Sequence, residues 1–521
     1  MEILLLNISL TLFVIFFYQR IRKGLHILQL ENYYNDRYAV WMKKNIKKVL
    51  DFKVIGLMAI PAFLIFIDQR IVGLSLEIIA FLTLIFTFKK AIEKKPFVVT
   101  ARIRRMYVTD ALIVLALFIC ANLFDYKWAI LATNIIAILA YTFVYIVNLV
   151  NRPVEKLIRH KFIVQAKKKL KDNPYLKIVG ITGSYGKTST KYAINTILSQ
   201  KYNTLMTPAS YNTTMGVVRT INENLSSTHQ VFICEMGAKY VGDIKEICDI
   251  VKPRYGALTA IGPQHLDTFK SLDNVRKTKL ELIDSLPDSV GLAFVNWEDE
   301  NIRNSEITKK MVKYGLSKEA DYYADNIKIT EKGSTFDVII PDKDPINIKT
   351  RLLGELNILN IVCAVAIADK LGLSEREIKL GAKYLRAVPH RLELKQNPNG
   401  SIIIDDAYNS NVKGANMALD VLKSFENRKK ILITPGIVEL GEKSEEINKD
   451  LGKKAAESAD YIILVGAKQT IPIYEGIKEK KYPEGKVFIA KDLNEALVKM
   501  KEEMTEKSVI LLENDLPDNY L

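Results

Sequence analysis

Cysteines are few in this chain, and no pattern organises them. Its 521 residues include four cysteines, at positions 120, 234, 248 and 363, in apolar surroundings without disulfide or metal-ligand spacing. This excludes a disulfide framework and a cysteine zinc site, and it predicts buried free thiols in a reducing compartment. No dinucleotide fingerprint follows a predicted strand, so a nicotinamide enzyme is not expected either.

Net positive charge is missing from the last two thirds of the chain. Of the formal charge of +15, residues 1–171 contribute 26 lysines and arginines against 10 acids, whereas the remainder carries 48 against 49. The basic excess therefore belongs to the apolar N-terminal part, where it is typical of charges that set membrane topology. It gives no reason to expect nucleic-acid binding.

Long apolar runs are confined to that N-terminal part. Five stand out, at 3–17, 54–67, 71–88, 107–124 and 128–150. The first lacks a clear cleavage site, so we interpret it as a retained anchor and not as a signal peptide. They predict an all-α transmembrane domain of about five helices over 1–151, followed by a basic linker over 152–174.

The basic residues lie in alternate loops of this domain. The loops after the first, third and fifth runs are rich in lysine and arginine, whereas the other two contain only Arg70 and Lys127. Because positive residues mark the cytoplasmic side, we expect a multi-pass inner-membrane protein whose residues after 150 are cytoplasmic. Glu77 lies deep in a run, where an acid either serves a substrate pathway or is satisfied by one partner in the bundle.

The stretch "GITGSYGKTST", from Gly180, predicts a phosphate-binding loop between a buried strand and a helix. Glycines allow backbone N–H groups to surround phosphate, while a lysine neutralises its charge and a threonine hydroxyl ligates magnesium. Ile181 stands where the common motif has its first glycine, so the pattern is the shorter GxxGKT. The predicted ATP-binding residues are Gly183, Ser184, Tyr185, Gly186, Lys187, Thr188 and Ser189.

Alternating β and α patterns continue to the end of the chain. They predict an α/β P-loop central domain over 175–391 and an α/β Rossmann-like C-terminal domain over 392–521, with a parallel sheet. Short buried strands such as "ILITPG" and "IILVG" end in turn glycines.

Further motifs follow the loop in a fixed order: "EMG", "GPQHLD", "VRKTKLELID", "GELNILN", "PHRLE" and "DDAYNSN". Together with the loop, they resemble the Mur ligase family of ATP-dependent amide-forming enzymes over residues 175–510. Within the family they are most similar to the branch that adds D-alanyl-D-alanine to a UDP-linked muramoyl tripeptide.

The resemblance implies a site with ATP and Mg²⁺ as cofactors. It assigns Thr188 and Glu235 to one magnesium, His265 to a second, and Lys279 to a metal ligand if carbamylated. It places Asn357 and Asn360 near adenine, and Arg391 and Asp406 at nucleotide phosphate and ribose. The implied catalytic residues are Lys187, His265, Lys279 and Arg391, and the implied substrate contacts are Asn212, Thr213, Thr214, Tyr408, Asn409 and Asn411.

Amide formation from a carboxylate requires a better leaving group, which ATP supplies by forming an acyl phosphate. Membrane runs stand where soluble members of the family have their UDP-binding domain. We therefore expect an anchored ligase that joins a lipid-linked or membrane-delivered envelope precursor with a carboxylate to an amino acid or dipeptide. Membrane lipid, and not nucleic acid, is the expected partner. The alternatives are an anchored D-alanyl-D-alanine ligase acting on a UDP-linked substrate, a polyglutamate-type synthase, or a transporter driven by a P-loop ATPase.

Overall fold

The computed structural model describes residues 1–88, 96–123, 126–264, 266–407, 411–438, 440 and 443–515. The chain divides into two compact units, Met1–His160 and Lys161–Leu521.

The first unit consists of helices that bury aromatic and branched side chains against one another. Phe13, Phe16 and Phe81 lie in its core, and the rings of Phe16 and Phe81 are 6.0 Å apart. The helices are α1 (Glu2–Leu30), α2 (Asn35–Lys44), α3 (Ile46–Val49), α4 (Phe52–Phe66), α5 (Arg70–Thr87), α6 (Ala101–Asn122), α7 (Tyr126–Ile138) and α8 (Ala140–Lys171). Residues 152–174, predicted as a basic linker, therefore lie mostly in α8.

Three stretches among the described residues are long and apolar enough to cross a membrane: Glu2–Leu30, Ile46–Phe66 and Arg70–Thr87. A fourth is counted if Lys127–Ile138 and Ala140–Lys171, which meet at 87°, form one broken span. The predicted run 107–124 falls on α6, and its residue 124 lies outside the described residues. The run 128–150 is predicted as one span, whereas the structure breaks it at Leu139 without a glycine or proline to mark the bend.

The second unit begins with a nine-stranded sheet in the order β2-β3-β1-β4-β5-β6-β7-β8-β9. Strands from β2 to β7 pair in parallel, and the last two pairings are antiparallel. The strands are β1 (Lys177–Thr182), β2 (Thr204–Met206), β3 (Val231–Glu235), β4 (Tyr255–Leu258), β5 (Leu292–Asn296), β6 (Met311–Gly315), β7 (Tyr322–Thr330), β8 (Gly333–Ile339) and β9 (Ile346–Thr350).

Helices cover both faces of this sheet, which is why β1 is almost continuously apolar. Val179 and Ile181 belong to the core cluster that contains residues of α9 and α15, whereas Ile178 belongs to the cluster that contains residues of α11 and α13. The helices are α9 (Lys187–Leu198), α10 (Thr214–Asn224), α11 (Asp243–Val251), α12 (Leu266–Phe269), α13 (Leu272–Asp284), α14 (Glu300–Arg303), α15 (Glu355–Lys370) and α16 (Glu375–Lys383).

A six-stranded sheet follows in the order β10-β11-β15-β12-β13-β14, parallel except at the β10–β11 edge. Its strands are β10 (Glu393–Gln396), β11 (Ile402–Asp406), β12 (Lys429–Thr434), β13 (Tyr461–Val465), β14 (Val487–Ala490) and β15 (Ser508–Glu513). Its helices are α17 (Val412–Lys423), α18 (Ser444–Ser458), α19 (Ile471–Glu479) and α20 (Leu493–Glu503). Both α/β sheets predicted from the sequence are therefore present.

Candidate active site

The glycine loop lies between β1 and α9, where the strand order reverses around β1. Ligands of open α/β sheets bind outside the carboxyl ends of the strands at such a point. Gly183 has φ +150° and Gly186 has φ +80°, and a Cβ on Gly183 would stand 2.1 Å from Thr259 Oγ1. The Ser184 N–H donates to Ala260 O at 2.7 Å, which ties the loop to the segment after β4. The sequence therefore requires glycine here both for conformation and for space.

Lys187 is the first residue of α9, and its side chain folds back over the loop. Its Nζ donates to Gly183 O at 2.6 Å and to Ser184 O at 3.2 Å. Burial lowers the pKa of Lys187 to about 8, with Glu235 opposing this change and Arg391 adding to it. An anion at the start of α9 would therefore meet both the N-terminal N–H groups of a helix and a lysine that benefits from a negative partner.

Glu235 is the last residue of β3, and its carboxylate lies at the centre of the site. Only 1% of Glu235 is exposed. Its Oε1 accepts hydrogen bonds from Thr188 Oγ1 and from Asn212 Nδ2, both at 3.1 Å. Its Oε2 lies 3.0 Å from Lys191 Nζ but makes no well-aligned hydrogen bond with the described residues. Carboxylate and hydroxyl oxygens are the ligands that Mg²⁺ prefers, so Thr188 and Glu235 fit the metal that the resemblance implies.

Lys279 lies on α13 and is buried, with 2% of its side chain exposed. Burial, and then the charge of Lys187, lower the pKa of Lys279 well below that of an ordinary lysine. A lowered pKa favours the neutral amine, and the neutral amine is the form of lysine that reacts with carbon dioxide. The site therefore has the chemistry that carbamylation needs.

The two asparagines predicted near adenine are on the first turns of α15. Asn360 Oδ1 accepts a hydrogen bond from Thr190 Oγ1 at 2.8 Å, and it stands 3.2 Å from the position of a Cβ on Gly186. Asn357 Nδ2 instead donates to Leu353 O at 2.8 Å, at the start of its own helix. The structure thus brings Asn360 to the glycine loop and shows Asn357 holding the helix end.

The segment 390–392 leads into the six-stranded sheet in an unusual backbone conformation. His390 has φ +60° and Leu392 has φ +45°. The Leu392 N–H donates to Asp406 Oδ1 at 3.1 Å. Burial raises the pKa of Asp406 while Arg391 opposes this, so Arg391 lies within electrostatic reach of both Asp406 and Lys187.

Asp405, beside it, is held by two basic groups. Asp405 Oδ2 contacts His390 Nδ1 at 2.8 Å and Lys395 Nζ at 2.5 Å. Lys395 Nζ also lies 3.2 Å from Glu393 Oε2, so one lysine balances the negative charge of both Asp405 and Glu393. These contacts pin the beginning of the second α/β sheet to the segment that carries Arg391.

The residues predicted to contact substrate do not all face one site. Asn212 reaches Glu235, but Thr213 caps α10 by accepting from the Gly216 N–H, and Thr214 donates to Glu246 Oε2 at 2.6 Å. Asn411 caps α17 by accepting from the Gly414 N–H at 3.0 Å. Three predicted site residues, His265, Tyr408 and Asn409, lie outside the described residues.

Residues 181–368 match the Mur ligase middle domain, and residues 390–513 match the Mur ligase glutamate ligase domain. The UDP-N-acetylmuramoyl-tripeptide–D-alanyl-D-alanine ligase of Haemophilus influenzae is 31% identical over 356 residues, which is 67% of this chain and 72% of that protein. The chain belongs to the Mur ligase family.

Other comparisons agree with this membership. The Escherichia coli ligase of the same name is 31% identical over 295 residues, 56% of this chain, and the chain spans 64% of its length. The crystal structure of MurF from Acinetobacter baumannii superposes with a TM-score of 0.61 at 28% identity, over 68% of this chain and 77% of that one. The resemblance seen in the sequence is thus confirmed, and both matched domains lie in the second unit.

Three residues that the structure brings to this candidate site were not among the sequence predictions. Lys191, fully buried, bridges Glu235 and Ala209 O; Thr259 contacts the glycine loop; His390 holds Asp405. Lys191 could have been found, because it follows Lys187 by four residues and thus lies on the same helix face. Thr259 and His390 reach the site through sheet pairing and chain reversal, which leave no local pattern in the sequence.

Proposed function

We propose that the protein is an ATP-dependent ligase that joins a carboxylate to an amine at the inner face of a membrane. One observation carries the proposal: basic groups gather around a single acid at the glycine loop. Lys187 and Lys191 face Glu235, and Arg391 lies within electrostatic reach of both Lys187 and Lys191. Such an excess of positive charge suits a polyphosphate and an incoming carboxylate.

Each of these residues has a separate role in the proposed reaction. The carboxylate takes the γ-phosphoryl group of ATP, which leaves as ADP. The amine then attacks the acyl phosphate, and the amide forms as inorganic phosphate and a proton leave. The loop N–H groups and Lys187 orient phosphate, while Thr188 and Glu235 hold Mg²⁺. Lys191 keeps Glu235 in place, and Lys279, as a carbamate, supplies a further oxygen ligand. Arg391, at the start of the last domain, balances negative charge as that domain comes into contact with the nucleotide.

We propose further that the first unit anchors the enzyme and that the acceptor is an envelope precursor delivered by the membrane. Three helices are long and apolar enough to cross a bilayer, and the basic loops alternate as expected for a cytoplasmic catalytic part. Both family matches begin after residue 180, behind this unit. A lipid-linked carboxylate, joined to an amino acid or a dipeptide, suits this order of domains.

A second candidate is addition of D-alanyl-D-alanine to a UDP-linked muramoyl tripeptide. The names of the relatives from Haemophilus influenzae and Escherichia coli favour it. A polyglutamate-type synthase would use the same chemistry on another acceptor. A transporter driven by the P-loop is the candidate of a different class, and it predicts ATP turnover that needs neither carboxylate nor amine.

The test is ATP-dependent ligation by the detergent-solubilised full chain, followed by mass spectrometry of the products. One reaction contains UDP-linked muramoyl tripeptide and D-alanyl-D-alanine; the other contains a membrane lipid extract and mixed amino acids. Product in the second alone supports the lipid-linked acceptor, and product in the first alone overturns it in favour of the UDP-linked substrate. Lys187→Ala is expected to lose either product, whereas Lys318→Ala, an exposed lysine of the same unit, keeps it.

A further inference from the structure

A cluster of lysines lies between the first two candidate membrane helices and has no role in the ligase chemistry. It is carried by α2 and α3, which are separated by Asn45 alone. The four members of this lysine cluster, all exposed, are Lys43, Lys44, Lys47 and Lys48. None of them forms an ion pair or a side-chain hydrogen bond with a residue that the structure describes.

Buried side chains hold this segment against the helical unit and leave the lysines outside. Tyr38 is fully buried, and its hydroxyl donates to Tyr141 O at 3.1 Å. Val49 is 2% exposed, and its carbonyl oxygen accepts a hydrogen bond from Arg20 Nη2 at 3.0 Å. The fold therefore fixes the chain on both sides of the lysine cluster. Four like charges within six residues repel one another, so an anionic partner would stabilise this arrangement.

The acids of the same segment do not balance this charge. Residues 35–53 contain six lysines and arginines against two acids. One of the two acids, Asp51, accepts from the Lys53 N–H at the start of α4 and lies 4.0 Å from Arg20 Nη1. The positive surface is thus left for a partner outside the chain.

Exposed apolar side chains lie among the lysines and narrow the choice of that partner. Val40 is 52% exposed, Ile46 50% and Phe52 72%. The surface of a bilayer offers anionic headgroups to lysines and an apolar layer to the side chains between them. Nucleic acid offers phosphates but no apolar layer for aliphatic side chains. The mixture of charge and apolar surface therefore favours a membrane over nucleic acid.

The position of the lysine cluster along the chain agrees with this choice. The stretch Ile46–Phe66, which is long and apolar enough to cross a membrane, begins inside the cluster. Lysines at the end of such a stretch keep their charged groups in the headgroup region while their carbon chains follow the apolar surface. Clusters of four or more basic residues immediately cytoplasmic of a span are typical of binding to anionic lipids.

We propose that the lysine cluster binds the anionic headgroups of phospholipids in the cytoplasmic leaflet. The inference rests on the proposed anchoring of the first unit, and it adds the class of lipid that the anchor selects. Positive charges that only set the topology act during insertion. Lipid binding needs the same charges in the folded protein, so a purified and reconstituted chain separates the two roles.

The test measures how strongly two nitroxide-labelled lipids quench a fluorophore on the full chain in phosphatidylcholine vesicles. The fluorophore is attached at Val40→Cys in a Cys120→Ser background, because the other three cysteines are buried. The quenchers are phosphatidylglycerol and phosphatidylcholine with the nitroxide at the same acyl position. We expect phosphatidylglycerol to quench about threefold more at low salt. The ratio should approach one in about 1 M salt, where charges are screened within about 3 Å.

Variants show whether the lysine cluster causes this preference. Replacement of its four lysines by glutamine is expected to lower the quenching ratio to about one, whereas replacement by arginine keeps the charge and the ratio. The matched control also removes four exposed lysines, all in the second unit, and should keep the ratio: Lys318→Gln, Lys332→Gln, Lys481→Gln and Lys507→Gln. If the fourfold glutamine variant does not fold, Lys43→Gln/Lys44→Gln replaces it and should remove about half of the excess.

Flotation of the chain with the vesicles separates this inference from the proposed anchoring. A chain that does not float contradicts both. A chain that floats but is quenched equally by the two lipids overturns the lipid selectivity alone. An unchanged ratio in the glutamine variants of the lysine cluster, or an equal loss in the control, would also overturn it.

Discussion

Lys191 and Glu235 form a buried ion pair, with Nζ 3.0 Å from Oε2 and neither side chain more than 1% exposed. The second oxygen of Glu235 accepts from Thr188, the residue that follows the phosphate-loop lysine. The pair thus fixes the acid that we assign to Mg²⁺ relative to the start of α9. A metal ligand oriented by a neighbouring group is a common feature of such sites.

Removal of Lys191 should destabilise the protein as well as its nucleotide site. Lys191→Met leaves Glu235 charged, buried and uncompensated, which costs about 3–5 kcal/mol. We expect a clearly lower melting temperature of the full chain in detergent. The double variant Lys191→Met/Glu235→Gln should regain much of that stability but not nucleotide binding, because the metal ligand is lost. A double variant no more stable than the single one would contradict this role for the pair.

Nucleotide affinity should decrease above pH 8. The pKa of Lys187 is lowered by burial to about 8, and the protonated form is the one that binds phosphate. Nucleotide binding near pH 8.5 should therefore take up a proton, measurable by calorimetry in buffers of different ionisation enthalpy. Lys187→Arg, charged at all these pH values, should bind without this uptake. A wild-type affinity independent of pH from 7 to 9 would refute the assignment.

Above pH 8, the lowered pKa of Lys187 should change folding stability in the direction opposite to its effect on nucleotide affinity. The unfolded chain keeps this proton up to the ordinary lysine pKa of 10.5, so between pH 8 and 10.5 it binds more protons than the folded chain. The free energy of unfolding contributed by Lys187 therefore increases with pH in that window. Lys187→Met should flatten this part of the pH profile of unfolding.

Lys279 should carry a carbamate. Its burial and lowered pKa favour the neutral amine, which adds carbon dioxide and becomes an anionic oxygen ligand. With ¹³C-bicarbonate, the full chain should show one carbamate carbon resonance that disappears in Lys279→Ala. Lys277→Ala, an exposed lysine on the same helix, is the control and should retain it. Depletion of bicarbonate should lower the ligation rate of the wild type, and an unchanged rate would count against the carbamate.

Gly183 should not accept a side chain. A Cβ there would lie 2.1 Å from Thr259 Oγ1 and 2.8 Å from Ala260 N, so the loop would have to move away from the segment after β4. Gly183→Ala is expected to abolish nucleotide binding, as measured by calorimetry. Gly485→Ala, where a Cβ would meet nothing within 4 Å, should bind as the wild type does. Normal binding by Gly183→Ala would show that the loop is not the phosphate site.

The sequence predicts those parts of the fold that local patterns encode. The apolar strand before Gly183 and the helix after Gly186 are both found, as are the parallel strands around "ILITPG" and "IILVG". The membrane runs are predicted as apolar segments, but the bend at Leu139 is not, because no glycine or proline marks it. The periodicity of apolar residues indicates which side chains a segment buries, but it does not indicate where one packed helix ends and the next begins.

The site is predicted less completely, for a related reason. The motifs single out Glu235 and Asn360, and the structure places both at the glycine loop. Glu235 contacts Thr188, 47 positions away in the sequence, and Asn360 contacts Thr190, 170 positions away. Thr213 and Asn411 belong to equally polar motifs, yet their side chains cap helices. A side chain of the same type can cap a helix or face a ligand, and the neighbouring elements decide which.

The most direct measurement is the stoichiometry of ADP and amide in the ligation reaction. The proposed mechanism predicts one ADP for each amide, with no ADP above background when either the carboxylate or the amine is omitted, and loss of both products in Lys187→Ala. Rapid ADP formation in the absence of carboxylate and amine, without an amide in the complete reaction, would contradict the ligase and favour a P-loop transporter.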